Sequence, residues 1–254
     1  MSAESLLNAL HAERGIVCLV GAGGKKTAIA RLAEAHSGRV GVTCTVRAAI
    51  FDRWFRGATV IAPEAALVTM LGDALARERR VAYALPPEKP DRLNGVPLEL
   101  VARLHREFGF DVTYVKADGA RMRWVKAPRE DEPYLPEGTA TVVPLVSVRA
   151  IGEPAAEQTV HRLEEFTRVT GCRAGEAIGV EHLARLLASE QGGCQRAGNA
   201  RVVPMINMVE NAAGLVAARA VAQRALALTP RFDRVVLAAL TAEQALIEVV
   251  IRRK

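Results

Sequence analysis

The sequence predicts an α/β protein: a mainly parallel sheet with helices on both faces and a small helical insertion. Three observations predict it. Strand-length apolar runs recur along the chain, segments with apolar residues at helical spacing separate many of them, and residues 126–198 break this rhythm with more Pro, Gly and charge. Alternating strands and helices favour crossovers that return each strand in the same direction and bury the sheet on both faces.

Taken in order, helical spacing predicts a first helix over residues 5–13, and the unbroken apolar run at 15–20 predicts a buried strand. A Gly-rich turn and a helix over 25–36 complete a strand-loop-helix start. The second strand, 39–43, follows Ser37-Gly38, and further strands are expected at 58–61, 81–85, 112–117, 141–146, 202–206 and 235–240. Helices are expected at 63–79, 97–108, 181–189 and 212–228, the first two opened by Pro63 and Pro97 in the first turn, where a missing N–H costs nothing. These elements read as one domain over residues 1–254, with 126–198 a less regular, partly helical insertion lacking a core of its own.

Composition narrows the function classes. The chain has 254 residues, half of them hydrophobic, enough for one large core. Its charge of +6 comes mostly from Arg interleaved with Asp and Glu, and aromatics are only 4%, so neither a basic block nor base-stacking side chains point to nucleic acid. Anionic small molecules fit better. The apolar runs fall far short of the roughly 20 residues that span a bilayer, and residues 1–14 lack the pattern of a secretory signal. A cytoplasmic protein without a membrane span is the expectation. Cys18, Cys44, Cys172 and Cys194 are widely spaced, which predicts reduced thiols rather than a disulfide framework or structural zinc.

The strand at 15–20 runs into Gly21-Ala22-Gly23-Gly24-Lys25-Lys26-Thr27. Glycines there let backbone N–H groups crowd an anion at the positive end of the next helix, so phosphate is the natural occupant. The spacing departs from G-x-x-x-x-G-K-[ST], whose first glycine would be Leu19, and from the dinucleotide fingerprint, whose third glycine would be Lys26. It is similar to the shorter G-x-x-G-K-[ST]-[ST] turn of Mur-type ligases, with Gly21, Gly24, Lys25 and Thr27 on its fixed positions. Lys26 stands where such loops carry a hydroxyl ligand of Mg²⁺. Either a second ammonium replaces part of the ion's charge, or a one-residue shift brings Thr27 to the ligand position.

Other candidates cluster at strand ends. Asp118, before Gly119, falls at the carboxyl end of a strand like a Walker-B aspartate. Thr43 and Thr45 offer hydroxyls at the same edge, with Cys44 between them reactive only where the lysines lower its pKa. His161-Arg162 would supply an anion clamp and a proton carrier. Asn207, in Asn207-Met208-Val209-Glu210, sits where GTPases read guanine, but Met208 and Glu210 replace the lysine and aspartate of that element, and Asn211 is available as a helix cap.

Taken in register, Val20-Gly21-Ala22-Gly23-Gly24-Lys25, Val42-Thr43-Cys44-Thr45, Ala117-Asp118-Gly119-Ala120, Lys126-Ala127-Pro128, Glu132-Pro133, Val160-His161-Arg162 and Ile206-Asn207 resemble the YqeC family over nearly the whole chain. That family is described as selenium-dependent molybdenum hydroxylase accessory or selenium cofactor biosynthesis proteins with a P-loop-NTPase-like fold. The resemblance implies site roles for Asp118, Lys126, His161 and Arg162. Departures touch the same site: Lys26 follows the loop lysine, Cys44 replaces a hydroxyl, and Lys116 stands where an acidic residue usually precedes Ala-Asp-Gly.

The resulting expectation is an ATP- or GTP-binding factor in maturation of a molybdenum hydroxylase or its cofactor. Residues 21–27 would hold phosphates, Thr43 or Thr45 would orient water or metal, Thr27 and Asp118 would ligate Mg²⁺, and Lys126, His161 and Arg162 would meet a second, anionic substrate. Two alternatives are an ATP-dependent kinase or ligase acting on a small anionic or pterin-like molecule, and a non-catalytic module that binds an anion or a partner.

Overall fold

The sheet is organised around its first strand, β1 (Gly15–Gly21). The others are β2 (Val40–Cys44), β3 (Ala58–Ile61), β4 (Arg80–Ala84), β5 (Val112–Lys116), β6 (Thr139–Ser147), β7 (Met205–Asn207), β8 (Arg234–Ala238) and β9 (Leu246–Ile251). A computed structural model describes residues 5–87 and 92–252. Its strands run in the order β3-β4-β2-β5-β1-β6-β7-β8-β9, and the short strand Arg201–Val202, also on β6, completes a 10-stranded sheet. All pairs are parallel except β8–β9.

Strands from residues 40–116 lie on one side of β1 and strands from 139–251 on the other. The winding therefore reverses at β1, and the carboxyl edge at such a reversal is where open α/β sheets bind ligands. Register brings the strand ends level, with Lys116 opposite both Leu19 of β1 and Cys44 of β2.

Alternation along the strands supplies both faces. Ile16, Cys18 and Val20 of β1 join one apolar cluster, while Val17 and Leu19 join the other. The first is covered by α3 (Glu64–Leu75), α4 (Leu98–Glu107), α5 (Leu163–Thr170), α6 (Val180–Ala188) and α7 (Ala212–Leu228). The second is covered by α1 (Leu6–Ala9) and α2 (Lys25–Ala35). Within the irregular stretch, Phe166, Leu183, Leu186 and Leu187 join the same cluster as Val142 and Val146 of β6.

Several boundaries differ from the sequence expectation. The first helix is a single turn, capped by the Ser5 hydroxyl and stopped before His11, whose φ is 49°. Pro63 and Pro97 are the caps immediately before α3 and α4 rather than first-turn residues. The strand expected at 202–206 is split in two, with Val203 and Pro204 between the pieces, since Pro has no N–H for the ladder. β9 was not expected: only partly buried, it lacks the continuous apolar signature of the inner strands. Among the described residues no helix is long and apolar enough to cross a membrane.

Candidate functional site

The Gly-rich turn leaves β1 wedged against its neighbours. Ala22 N–H donates to the Leu145 carbonyl at 2.9 Å, tying the loop to β6. Gly23 has φ 86°, and a Cβ there would lie 2.7 Å from the Ser147 backbone nitrogen, so no side chain fits. Gly24 caps α2 at φ 130°. Asn207 locks this arrangement: its Nδ2 donates to the Gly23 carbonyl at 2.7 Å, and its Oδ1 accepts from Leu240 N–H at 3.1 Å. The first-turn amides of α2 have no carbonyl partner within the helix, and the helix dipole adds positive potential at the same place.

Beneath the loop lies a buried chain of alternating charges. Asp118 Oδ2 accepts from Gly21 N–H at 2.8 Å and from Lys126 Nζ at 2.9 Å. Its Oδ1 is ion-paired with Lys25 Nζ at 2.8 Å but receives no well-directed hydrogen bond. Lys25 donates instead to the Gly21 carbonyl. Lys126 also pairs with Glu132 at 2.9 Å, and Glu132 pairs with Arg162 at 3.1 Å. Lys126 and His161 are brought side by side by a two-strand parallel pairing of Val125–Lys126 with Val160–His161. A cavity of about 20 Å³, lined in part by Gly21, Asp118, Lys126, Leu187 and Gly193, adjoins this chain and is large enough for about one water molecule.

Burial and charge compete at each group. Burial raises the Asp118 carboxyl pKa, but Lys25 and Lys126 outweigh it and the net shift is downward. Glu132 follows the same balance, with Lys126 and Arg162 prevailing. Lys25 is lowered by burial, which Asp118 only partly offsets. Lys116 is pushed down to about 8, by burial first and then by the Lys25 charge. His161 falls to about 4 through burial and the charges of Lys126, Arg162 and Arg121, so it is neutral at pH 7.

The structure thus brings together Gly21, Gly23, Gly24, Lys25, Asp118, Lys126, Arg162 and Asn207, with His161 beside them. The remaining candidates are placed differently. Thr43 is buried and its hydroxyl donates to the Tyr83 carbonyl at 2.7 Å; the Thr45 hydroxyl donates to the Tyr134 carbonyl at 2.8 Å. Thr27 is exposed and Lys26 half-buried. Cys44 is pushed up to about 12 by burial, which Lys116 does not overcome.

Two members of the charge cluster, Lys116 and Glu132, enter the sequence reading only as a departure from the family pattern and as part of the Glu132-Pro133 motif, with no site role assigned to either. A lysine inside the apolar strand at 112–117 is the signal for Lys116. Beyond the Glu132-Pro133 motif nothing local marks this carboxylate, because its partners lie six and thirty residues away at Lys126 and Arg162.

The donor set around Asp118 does not fit Mg²⁺. Both carboxylate oxygens face ammonium groups, the Thr43 and Thr45 hydroxyls are turned into backbone carbonyls, Thr27 is exposed, and Lys26 occupies the ligand position. Among the described residues, one other group could hold a metal, Cys172, Glu176 and His182, with ligand atoms within 4.8 Å of one another. Its atoms already serve local bonds: His182 Nδ1 accepts from Gly179 N–H at 3.0 Å, and Glu176 accepts from Arg173 N–H at 2.9 Å.

Comparison with known proteins agrees with this geometry in extent. The YqeC protein family matches residues 17–164, from β1 through the loop, Asp118, Lys126 and Glu132 to Arg162 and the start of α5. The uncharacterized protein YqeC of Escherichia coli (strain K12) is 25% identical over 195 residues, which cover 71% of this chain and 73% of that protein. The match takes in more than half of the chain and every segment that contributes a charge to the site: the chain belongs to the YqeC family.

Proposed function

We propose that this protein binds the phosphates of ATP or GTP on its Gly21–Thr27 loop and acts as an accessory factor in maturation of selenium-dependent molybdenum hydroxylases. The observation that carries the phosphate reading is the loop itself. Backbone amides at the start of α2 and the Lys25 ammonium converge at the reversal point of the sheet, at the carboxyl end of β1. The maturation role rests on the family resemblance alone, since the Escherichia coli relative is itself uncharacterized.

A phosphate arriving at the loop competes with Asp118 and the Gly21 carbonyl for Lys25. Lys25 is the moving part in this reading, and Asp118 stays held by Gly21 N–H and Lys126. The test is a thermal-shift and calorimetry panel with ATP, GTP and their diphosphates, since a ligand of the folded state raises the unfolding temperature with its concentration. Lys25→Ala should lose at least tenfold in affinity; equal affinity sinks the assignment of the loop.

A second reading, a kinase or ligase acting on a small anionic or pterin-like molecule, is favoured by one observation. Lys126 and Arg162, both paired with Glu132, and His161 beside them carry the polar cluster away from the loop, where a second substrate would sit. It predicts nucleotide turnover that begins only when that substrate is added. Neutral His161 would accept a proton there. No turnover with any such substrate beside an intact hydroxylase counts against it.

A further inference from the structure

We infer that the phosphate site takes its ligand free of divalent cation, and that Lys116 is the third ammonium that does the ion's work. This deepens the phosphate-binding reading and rests on it.

The first support is the imbalance of charge. Lys25, Lys116, Lys126 and Arg162 bring four positive charges to a cluster whose carboxylates are Asp118 and Glu132. Both carboxylates are engaged by the other three cations. Lys116 is the cation left over: its hydrogen bond, at 2.7 Å, goes to the backbone carbonyl of Asp118 rather than to a carboxylate. It is buried, and it is near enough for the Lys25 charge to act on it. An ammonium held out of water with only a neutral acceptor is costly unless an anion joins it.

The second support is placement. Register sets Lys116 opposite Leu19, two residues before the loop begins, while Asp118 holds Gly21 N–H. Lys116, at the end of β5, and Lys126, on the neighbouring two-strand ribbon, thus flank Asp118 beside the loop, where a P-loop protein would carry its metal. A divalent ion there would meet ammonium groups on both sides, with both Asp118 oxygens already paired and the Thr43 and Thr45 hydroxyls bonded to carbonyls. The chemical class that fits is an uncomplexed di- or triphosphate, whose oxygens accept from Lys25, from Lys116 and from the amides of α2.

The test is calorimetry of the full chain with ATP, ADP and pyrophosphate, once in EDTA and once with excess Mg²⁺. Binding in EDTA should equal or exceed binding in Mg²⁺. Lys116→Met should weaken the EDTA affinity at least tenfold, Lys116→Arg should retain most of it, and Lys116→Glu should reverse the preference, so that Mg²⁺ now tightens binding. Should the variants fail to fold, the comparison on the native chain still decides. A tenfold or greater gain from Mg²⁺ in the native chain overturns the inference, as does unchanged EDTA affinity in a folded Lys116→Met variant. Metal-dependent binding that Lys25→Ala abolishes would sink this inference and leave the phosphate site standing. Absence of binding under both conditions would sink both.

Discussion

Asp118→Asn changes one charge and almost no shape at the centre of the cluster. Lys25 and Lys126 stand 2.8 and 2.9 Å from the carboxylate, and the Asn oxygen can still accept from Gly21 N–H. What is lost is the counter-charge to two buried ammoniums in a group that already holds more cations than anions. Removing one partner of a buried ion pair costs about 3–5 kcal/mol, because the other charge is left uncompensated. Here the cluster has a partial escape. Lys116, lowered to about 8, can release its proton at pH 7 for roughly 1.4 kcal/mol, one pKa unit, so the expected loss lies at the lower end, about 3 kcal/mol. Against a domain stability of about 5–15 kcal/mol this is readily measured.

Urea unfolding at pH 7 is the assay, with an unchanged slope as the check that the same transition is being followed. The pH dependence supplies a second constraint. The Asp118 carboxyl is held below its ordinary 3.8 in the folded state, so its contribution is complete above that value and is lost as pH falls below it. The gap between native protein and variant should therefore close in acid. A loss under about 1 kcal/mol at pH 7, or a gap that persists unchanged below pH 3.8, would refute the account of the cluster as a charge-compensated unit.

Three further outcomes follow from individual contacts. Asn207→Ala should cost about 2–4 kcal/mol in denaturant unfolding, because it strands the Gly23 carbonyl and Leu240 N–H; Asn207→Asp should not rescue it, since a carboxylate cannot donate to that carbonyl. Gly23→Ala should lower the denaturation midpoint much more than Gly152→Ala. Both have positive φ, near 87°, and so share a strain cost of about 1 kcal/mol, but only at Gly23 does the new methyl meet backbone, at Ser147. Between pH 6.5 and about 4 the folded chain leaves His161 unprotonated while the unfolded chain protonates it, so stability should fall as pH drops through that window. His161→Gln should flatten this part of the profile in urea unfolding at stepped pH.

The features legible in the sequence are those carried by short-range pattern. β1 is a continuous apolar run ending in glycines, and Asp118 follows another apolar strand directly, so both could be assigned to a carboxyl sheet edge before any pairing was known. Helices α2 and α7 were equally plain, since glycines precede the one and Asn211 caps the other, its side chain accepting from Gly214 N–H at 2.8 Å. The threonines mark where this kind of reading runs out. Thr43 and Thr45 do lie at the edge, but each hydroxyl is spent on a carbonyl, Tyr83 and Tyr134, that reaches it only through tertiary structure. β9 escaped for a different reason: an antiparallel, half-exposed edge strand carries a weak apolar signal.

Charge balance is the property that residue pattern alone could not supply, and it changes what the loop means. Read locally, Lys26 in place of a hydroxyl is a defect in a metal-assisted phosphate site. Read with the sheet assembled, the same site holds Lys126 against the Asp118 carboxylate and, as a departure from the family pattern, Lys116 on β5 against the Asp118 backbone carbonyl. Fewer metal ligands and more ammoniums at one place would let a site keep its affinity for phosphate oxygens while losing its affinity for Mg²⁺, as the inference above requires. A loop that had merely decayed would lose ligands without gaining buried cations, because each such cation costs desolvation that only an anion returns.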